Sequence, residues 1–415
     1  MAGTIPTSLS SFIGRTQELA ELTALLGADG TRLVTLTGPG GVGKTRLAAQ
    51  VALAVQSTLE DGVCWVALDG LSDPQQLPGA VLNGLGVASS GGPPAQALLP
   101  ALATRHLLLI LDNCEHLLAA AAELTDRLLR AAPSLQILAT SRERLNVSGE
   151  RAWLVPGMAV PQAVATGDEV LTTDAVQLFV ERAAAMRPSF QLTAETAAAV
   201  IAICRQVDGL PLAVELAAAR SHSLGVEQIA ARLRERLDVL SGGRRGAPTR
   251  QQTLRATFDW SHDLLTAREK VLFRRLAIFQ GRFTLEAAEA VCSQAGGDDQ
   301  NGESSLHSEA ILDLLGSLVD KSLVTVERAD GDEATYRLLE LIRRYAYEQL
   351  AVADELDASR EAHLSFYADL VRSAREGLKG AEQRAWVQTL TLAQANVYAA
   401  LRTAIELGRT EAGIA

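Results

Sequence analysis

The sequence predicts a multidomain α/β-plus-α protein: a parallel sheet domain opened by a glycine-rich loop, a helical-bundle domain, a winged helix and a further helical region. Three observations carry this. A short apolar run at 33–36 leads into Gly38-Pro39-Gly40-Gly41-Val42-Gly43-Lys44-Thr45 and then into an amphipathic run at 46–57. Apolar strands and helical runs alternate from there to residue 155, the pattern of a parallel sheet with crossover helices. Beyond residue 165 the strand pattern stops, and only two short strands return, at 323–327 and 335–339.

Length and composition bound the answer. At 415 residues the chain exceeds one hydrophobic core, and 48% hydrophobic with 21% charged residues is a globular composition. The longest apolar runs, such as 107–111, are too short for a bilayer, and the first residues lack a basic start with an apolar stretch behind it. No membrane association is expected. Cys64, Cys114, Cys204 and Cys292 are widely spaced with no C-x-x-C, which reads as buried reduced thiols and a cytoplasmic protein. His116 follows Asp112 by four residues, but no Cys or second His accompanies them, so no zinc site is read. A net charge of −11 argues against a nucleic-acid binder that uses its whole surface. The segment 227–282 is a local exception, with twelve Arg or Lys against six Asp or Glu, a net of +6.

Residues 1–30 hold a polar arm, a box around Phe12-Ile13-Gly14-Arg15, and a helix at 17–26 spaced by Leu19, Leu22, Leu25 and Leu26. A Gly-Arg pair before a helix reads as a turn and cap. Just upstream of a phosphate loop, it also reads as bringing Arg15 to the base and ribose of a nucleotide.

The stretch 38–45 satisfies G-x-x-x-x-G-K-[ST] in the strand–loop–helix context that makes the pattern meaningful. Gly38, Gly40, Gly41 and Gly43 let backbone N–H groups, including that of Val42, curl around phosphate oxygens with no Cβ in the way. The helix N-terminus at Lys44, Thr45 and Arg46 adds partial positive charge. Lys44 can reach the β- and γ-phosphates of ATP or ADP, and the Thr45 hydroxyl can ligate Mg²⁺. The chain has only four lysines, which makes a chance Lys in this pattern rarer still.

The sheet domain spans 31–164. Its strands are read at 32–36, 63–68, 107–111, 135–139 and 152–155, and its helices at 44–57, 75–85, 95–103 and 115–131, with a Gly/Pro/Ser loop at 88–94. The third strand ends in Leu111-Asp112-Asn113. Asp112 is placed to hold Mg²⁺ through its water shell; otherwise it caps the following helix. Asn113 stands where many ATPases have a second carboxylate, and an amide cannot act as a base, so slow hydrolysis is expected. Glu115 is read as lying one helical step away. The fourth strand ends in Thr140-Ser141-Arg142, where Arg142 is either a γ-phosphate sensor or a surface Arg leaving the sheet.

Residues 165–245 read as helices at 173–187, 193–207, 211–222 and 226–237. Gly209 ends one helix and Pro211 begins the next, which is structural reason enough for both. A linker follows at 241–249. Residues 246–350 read as helices at 253–264, 267–278, 285–292 and 306–320, a polar insert at 293–305, the two strands joined at 328–333, and a helix over 337–350. Three helices and a β-hairpin make a winged helix. From 351 to 415 the pattern is helical with aromatic-Leu stripes, as in TPR-like hairpin repeats, and a truncated array is expected.

This ordered set resembles the STAND signal-transduction ATPases, relatives of apoptotic-protease activators and the NB-ARC proteins of plant disease resistance. It is most similar to bacterial "predicted ATPase" regulators that accompany LuxR-type or antibiotic-pathway transcription factors. The resemblance rests on 12–18, 38–45, 109–113, 140–142, 209–213, 254–279, 318–326 and 336–345. It implies an ATP/ADP switch with weak ATPase activity, ADP clamped between the sheet domain, the helical lid and the winged helix, Pro211 near the adenine, and oligomerisation on activation. An effector or inducer, protein or ligand, would act through the C-terminal helices. Leu339 stands where better-known members place a histidine on the ADP phosphate, so that sensor is lost or moved, for instance to Arg337. The run 265–272 looks briefly like the start of a LuxR DNA-binding domain but fits the winged-helix opening better.

Two other readings compete. A DNA-binding regulator would act through the winged helix and the basic segment, but a solvated or interdomain Arg face explains that segment more simply, so direct DNA binding is not expected. A metabolic phosphotransferase needs an acceptor pocket with a base, and nothing beyond the phosphate-loop set suggests one.

Overall fold

The computed structural model describes residues 4–6, 10–87, 93–161, 173–235, 240, 254–294, 306–328, 334–380 and 383–409. The linker at 241–249, most of the loop at 88–94, nearly all of the insert at 293–305 and the hairpin turn at 329–333 lie outside these residues. The chain forms two compact units, Met1–Arg234 and Glu235–Ala415.

The first unit is built on a five-stranded sheet of β1 (Leu33–Thr37), β2 (Val63–Ala67), β3 (Leu108–Asp112), β4 (Gln136–Thr140) and β5 (Glu150–Leu154) in the order β2-β3-β4-β1-β5. Every pair is parallel, so β4 sits between the loop strand β1 and the Asp112 strand β3. β1 and β3 are buried along their whole length, as expected of parallel strands covered on both faces. On one face α3 (Leu77–Gly84), α4 (Pro94–Leu102) and α5 (Leu118–Ala131) pack Leu82, Leu98 and Leu128 against Leu109, Leu111 and Ile137. α2 (Lys44–Val55) contacts β1, β3 and β4, with α1 (Thr16–Gly27) beside it. The edge strand β5 begins at Glu150, two residues before the expected 152. Its half-exposed Glu-Arg-Ala-Trp-Leu lacks the apolar run that marked the inner strands.

Among the described residues, four further helices belong to this unit: α6 (Asp174–Met186), α7 (Ala194–Gln206), α8 (Pro211–Ala219) and α9 (Val226–Glu235). Thr193 and Thr196 close a reciprocal capping box that starts α7. α7 stops at Asp208 and Gly209, both left-handed (φ 49° and 62°), and Pro211 opens α8. Gly209 has a second reason beyond the expected stop. A Cβ there would lie 2.1 Å from the Met158 carbonyl oxygen, and the Met158 amide donates to Gly209 O at 2.9 Å.

The second unit holds α10 (Leu254–Asp263), α11 (Ala267–Leu276), α12 (Leu285–Gln294), α13 (Ser308–Asp320), the antiparallel pair β6 (Thr325–Arg328) and β7 (Ala334–Arg337), and α14 (Glu340–Val352). Thr266 and Glu269 form the capping box of α11, so 265–272 is a winged-helix opening. A bridge between Phe283 and Tyr336 extends the wing. The overlapping expectations at 335–339 and 337–350 resolve at Leu338 and Leu339: Arg337 stays in β7 and the helix starts at Glu340. α15 (Leu356–Gly377) and α16 (Gln383–Glu406) then pack as a helical hairpin.

Candidate nucleotide site

The loop between β1 and α2 has the backbone its glycines permit. Gly38, Gly41 and Gly43 adopt φ of 143°, 81° and 97°, where a Cβ costs about 1–2 kcal/mol. Gly40 is absent from this positive-φ set. Val42 is fully buried and anchors the loop. The Lys44 ammonium donates to the carbonyls of Gly38 at 2.6 Å and Pro39 at 3.2 Å. Burial pushes its pKa down to about 8, with Glu115 opposing that shift and Arg142 adding to it.

Behind the loop, Asp112 Oδ1 accepts from Thr45 Oγ1 at 2.8 Å and Thr140 Oγ1 at 2.7 Å. The Asn113 amide donates to Thr140 Oγ1 at 2.8 Å. Adjacent β3 and β4 thus end on one hydrogen-bonded cluster. Burial raises the Asp112 pKa, and the two threonine hydroxyls work against that rise.

Glu115 is a correction to the sequence reading. Asn113 is left-handed at φ 71°, and Cys114–His116 form a 3₁₀ turn, so the helix expected at 115 starts at Leu118. The turn brings Glu115 back into the site, where Arg142 Nε donates to its Oε1 at 3.2 Å with both side chains buried. Glu115 Oε2 is buried with no hydrogen-bond partner. Of the two expectations for Arg142, the structure has a buried residue paired with Glu115 rather than a surface one.

Arg15 buttresses the loop. Its guanidinium donates to Val42 O at 3.0 Å and Pro156 O at 2.7 Å, and its amide to Asp174 at 2.9 Å. Burial lowers its pKa. Gly14 beside it is left-handed at φ 66°, and a Cβ there would displace the Asp174 carboxylate that accepts from the Arg15 amide. Arg46 lies over the Phe12 ring, donates to the Ser10 and Ser11 carbonyls, and pairs with Glu215 at 3.3 Å. Arg182 reaches the same Glu215 at 3.0 Å. The start of α8 meets the loop directly: Leu212 N donates to Gly41 O at 3.2 Å, and Pro211 lies beside Gly43.

These residues fit a Mg²⁺–nucleotide. One hydroxyl and one carboxylate, Thr45 and Asp112, suit a cation that keeps waters and takes phosphate oxygens. The lysine at the loop suits the phosphates themselves, and Lys44, Thr45 and Asp112 would hold the pair. Among the described residues no cluster of three His, Cys, Asp or Glu side chains has metal-ligand geometry.

Fold and site together define a P-loop protein with a parallel-sheet ATPase domain, a helical bundle and a winged helix. The AAA ATPase domain matches residues 11–78, and the winged helix-turn-helix domain matches residues 265–351. The Mycobacterium tuberculosis protein Rv0894 is 40% identical over 375 residues, covering 89% of this chain and 90% of its own, and this chain belongs to its family. The chain is also similar to the M. tuberculosis protein named "Putative HTH-type transcriptional regulator Rv0890c", at 44% identity over 85% of this chain. It matches the regulatory protein AfsR of Streptomyces griseus at 30% identity over 91% of this chain. The chain spans only 37% of Rv0890c and 36% of that AfsR. Among solved structures, the Aeropyrum pernix ORC2 protein in its ADPNP–ADP complexes matches with a TM-score of 0.50 at 14% identity. The match covers 84% of this chain and 97% of that one, a likeness of fold. Among the described residues no helix is long and apolar enough to cross a membrane.

Proposed function

We propose that the protein is an ATP/ADP-binding switch that hydrolyses ATP slowly and uses the phosphate state of its nucleotide to set its conformation and self-assembly in transcriptional regulation. The observation that carries this is the backbone bond from Leu212, in the lid, to Gly41, in the phosphate loop. A loop that rearranges around phosphates would strain that bond, and with Pro211 beside Gly43 and Arg46 paired with Glu215 the state of the nucleotide has a direct route to the lid. In this reading the chain works as an arm (1–30), an ATPase core (31–164), a lid (165–245), a winged helix (246–350) and a helical region (351–415). Lys44 binds the phosphates, Thr45 and Asp112 hold Mg²⁺, and Arg142 responds to the γ-phosphate. Arg15, Val42, Arg46 and Pro211 frame the nucleotide.

The test is to denature freshly purified protein and identify the released nucleotide, with Lys44→Ala as control. Stoichiometric ADP that the control lacks is expected. Nucleotide-free protein with fast multi-turnover hydrolysis would overturn the reading.

Direct DNA binding is the second reading, favoured by the winged helix-turn-helix match and by a relative's name. Electrostatics weigh against it. In helix-turn-helix proteins the recognition helix enters the major groove. Here that helix would be α13, which carries exposed Glu309, Asp313 and Asp320 and no Arg or Lys. Several basic side chains of the unit are spent internally: Arg274 and Arg275 on Glu355, Lys321 on Glu269, and Arg255 on Glu348. Duplex binding that weakens steeply with salt would restore this reading.

A further inference from the structure

The second unit contains a cavity of about 490 Å³ between the winged helix and the α15–α16 hairpin. We propose that it is a binding site for a neutral, flat aromatic small molecule carrying one hydrogen-bond acceptor. This inference goes beyond the nucleotide reading and does not depend on it.

The walls are aromatic and come from three places in the fold. Phe283 belongs to the strand-like bridge of the wing, Phe366 and Tyr367 to α15, and Trp386 to α16. The cavity is partly open to solvent, and its volume falls within the range of drug-sized ligand sites. The walls are also held in place. Phe283 stacks on Phe279 at 4.5 Å between centroids, and Tyr367 lies 4.6 Å from the His363 ring. Trp386 is seated against Gly377, where a Cβ would fall 1.9 Å from the indole nitrogen.

The polar handle is Tyr367. Its side chain is 3% exposed and lines the cavity, so the hydroxyl is the phenolic donor that the aromatic wall offers. An acceptor on a ligand in the cavity would satisfy it. Burial pushes this phenol well above its usual pKa, so it is a donor at any physiological pH. Two rim charges are paired, Arg282 with Glu327 and Asp369 with Arg372, and the third, Glu286, is exposed to water. Solvent screens these charges, so an ionic ligand gains little from them, and the aromatic walls favour a neutral one.

The cavity is distinct from the outer apolar stripe of α16. At 100° per residue, the exposed Val387, Tyr398 and Ile405 fall within about 20° of one another. Thr389 and Ala393, which line the cavity, lie about 120–180° from that stripe, and Trp386 lies on the flank about 100° from it. A helix packing on the outer stripe would leave the cavity open.

The test uses prodan (6-propionyl-2-dimethylaminonaphthalene), a neutral flat fluorophore with one carbonyl, titrated into the full chain. Expected are saturable one-to-one binding, a blue shift of prodan emission and energy transfer from Trp386 that Trp386→Phe removes. Ala393→Phe fills the cavity and is expected to weaken binding at least about 10-fold. Tyr367→Phe keeps the shape, removes the donor and is expected to weaken it about 5-fold; it carries the test alone if Ala393→Phe misfolds by circular dichroism. Lys44→Ala should bind prodan like the parent chain, which separates this result from the fate of the nucleotide reading. Absence of saturable binding, or equal binding by the parent and the Tyr367 variant, would overturn the proposal.

Discussion

The amide of Leu212 donates to the carbonyl of Gly41 at 3.2 Å, so the first turn of α8 is bonded to the centre of the phosphate loop. The contact is tight enough to exclude a side chain: a Cβ on Gly41 would lie 3.0 Å from Leu212 Cβ, at a φ of 81°. Gly41→Ala therefore combines backbone strain of about 1–2 kcal/mol with a pushed-back lid. The expected outcome is release of a fluorescent ADP analogue at least about 10-fold faster than from the parent chain, with the fold retained by circular dichroism. An unchanged release rate would mean that the lid does not hold the nucleotide.

Lys44 makes nucleotide binding pH-dependent, and the sign follows from its surroundings. Without phosphate, burial holds the ammonium at a pKa of about 8, so at pH 8 about half is neutral. A bound phosphate favours the charged form and raises that pKa. Binding at pH 8 then takes up about half a proton, and ADP affinity falls as pH rises above 8, at most about tenfold per unit. Isothermal titration in two buffers of different ionisation enthalpy measures the uptake. Zero uptake would show that Lys44 is already fully charged before the nucleotide arrives.

The phosphate loop and Asp112 were legible in the sequence because their chemistry is local: eight contiguous residues, and one carboxylate ending an apolar strand. What surrounds them was not. Arg142 reaches Glu115 across 27 residues, and Gly209 abuts Met158 across about fifty. No pattern within a strand or helix window marks such pairs. Glu115 was misplaced for a particular reason. The left-handed turn at Asn113 re-aims the chain, and Asn is the one hint, since it tolerates φ > 0 better than most residues. The inner strands announced themselves by continuous burial. The edge strand β5, with Arg151, Ala152 and Leu154 exposed, did not.

Glu115 is the carboxylate that Asn113 does not supply. It is buried, positioned by Arg142, and has one oxygen free of hydrogen bonds. If it orients or deprotonates the attacking water, Glu115→Gln lowers ATP turnover by about 10²-fold, within the usual range for a general base. ADP retention should survive, because Lys44, Thr45 and Asp112 are untouched. Equal turnover by parent and variant would assign Glu115 a purely structural pairing with Arg142.

His363 should make the second unit sensitive to mild acid. It is buried in α15, 3.3 Å from Asn396 Oδ1, and Asn396 pins α16 to the winged helix through Gln280 N and Arg282 O, both at 2.7 Å. Burial pushes the His363 pKa down to about 4 from an ordinary 6.5, with Asn396 opposing the shift. The unfolded chain therefore binds the proton first. Stability is complete above pH 6.5 and falls as pH drops towards 4, by at most about 1.4 kcal/mol per unit. The carboxylates of Glu269, Glu340 and Glu355 are all held below their ordinary 4.5, so they add a loss of the same sign mainly as pH falls through 4.5, beneath the pH 5 point of the test. Of the other groups, His262 is also depressed by burial and adds a smaller slope of the same sign. Urea unfolding at pH 7 and pH 5 should give a clear loss of stability in the parent chain and a much smaller one in His363→Phe, which keeps an aromatic ring beside Phe279 and Tyr367. An identical loss in both would place the acid sensitivity elsewhere and leave His363 charged in the folded unit at pH 5.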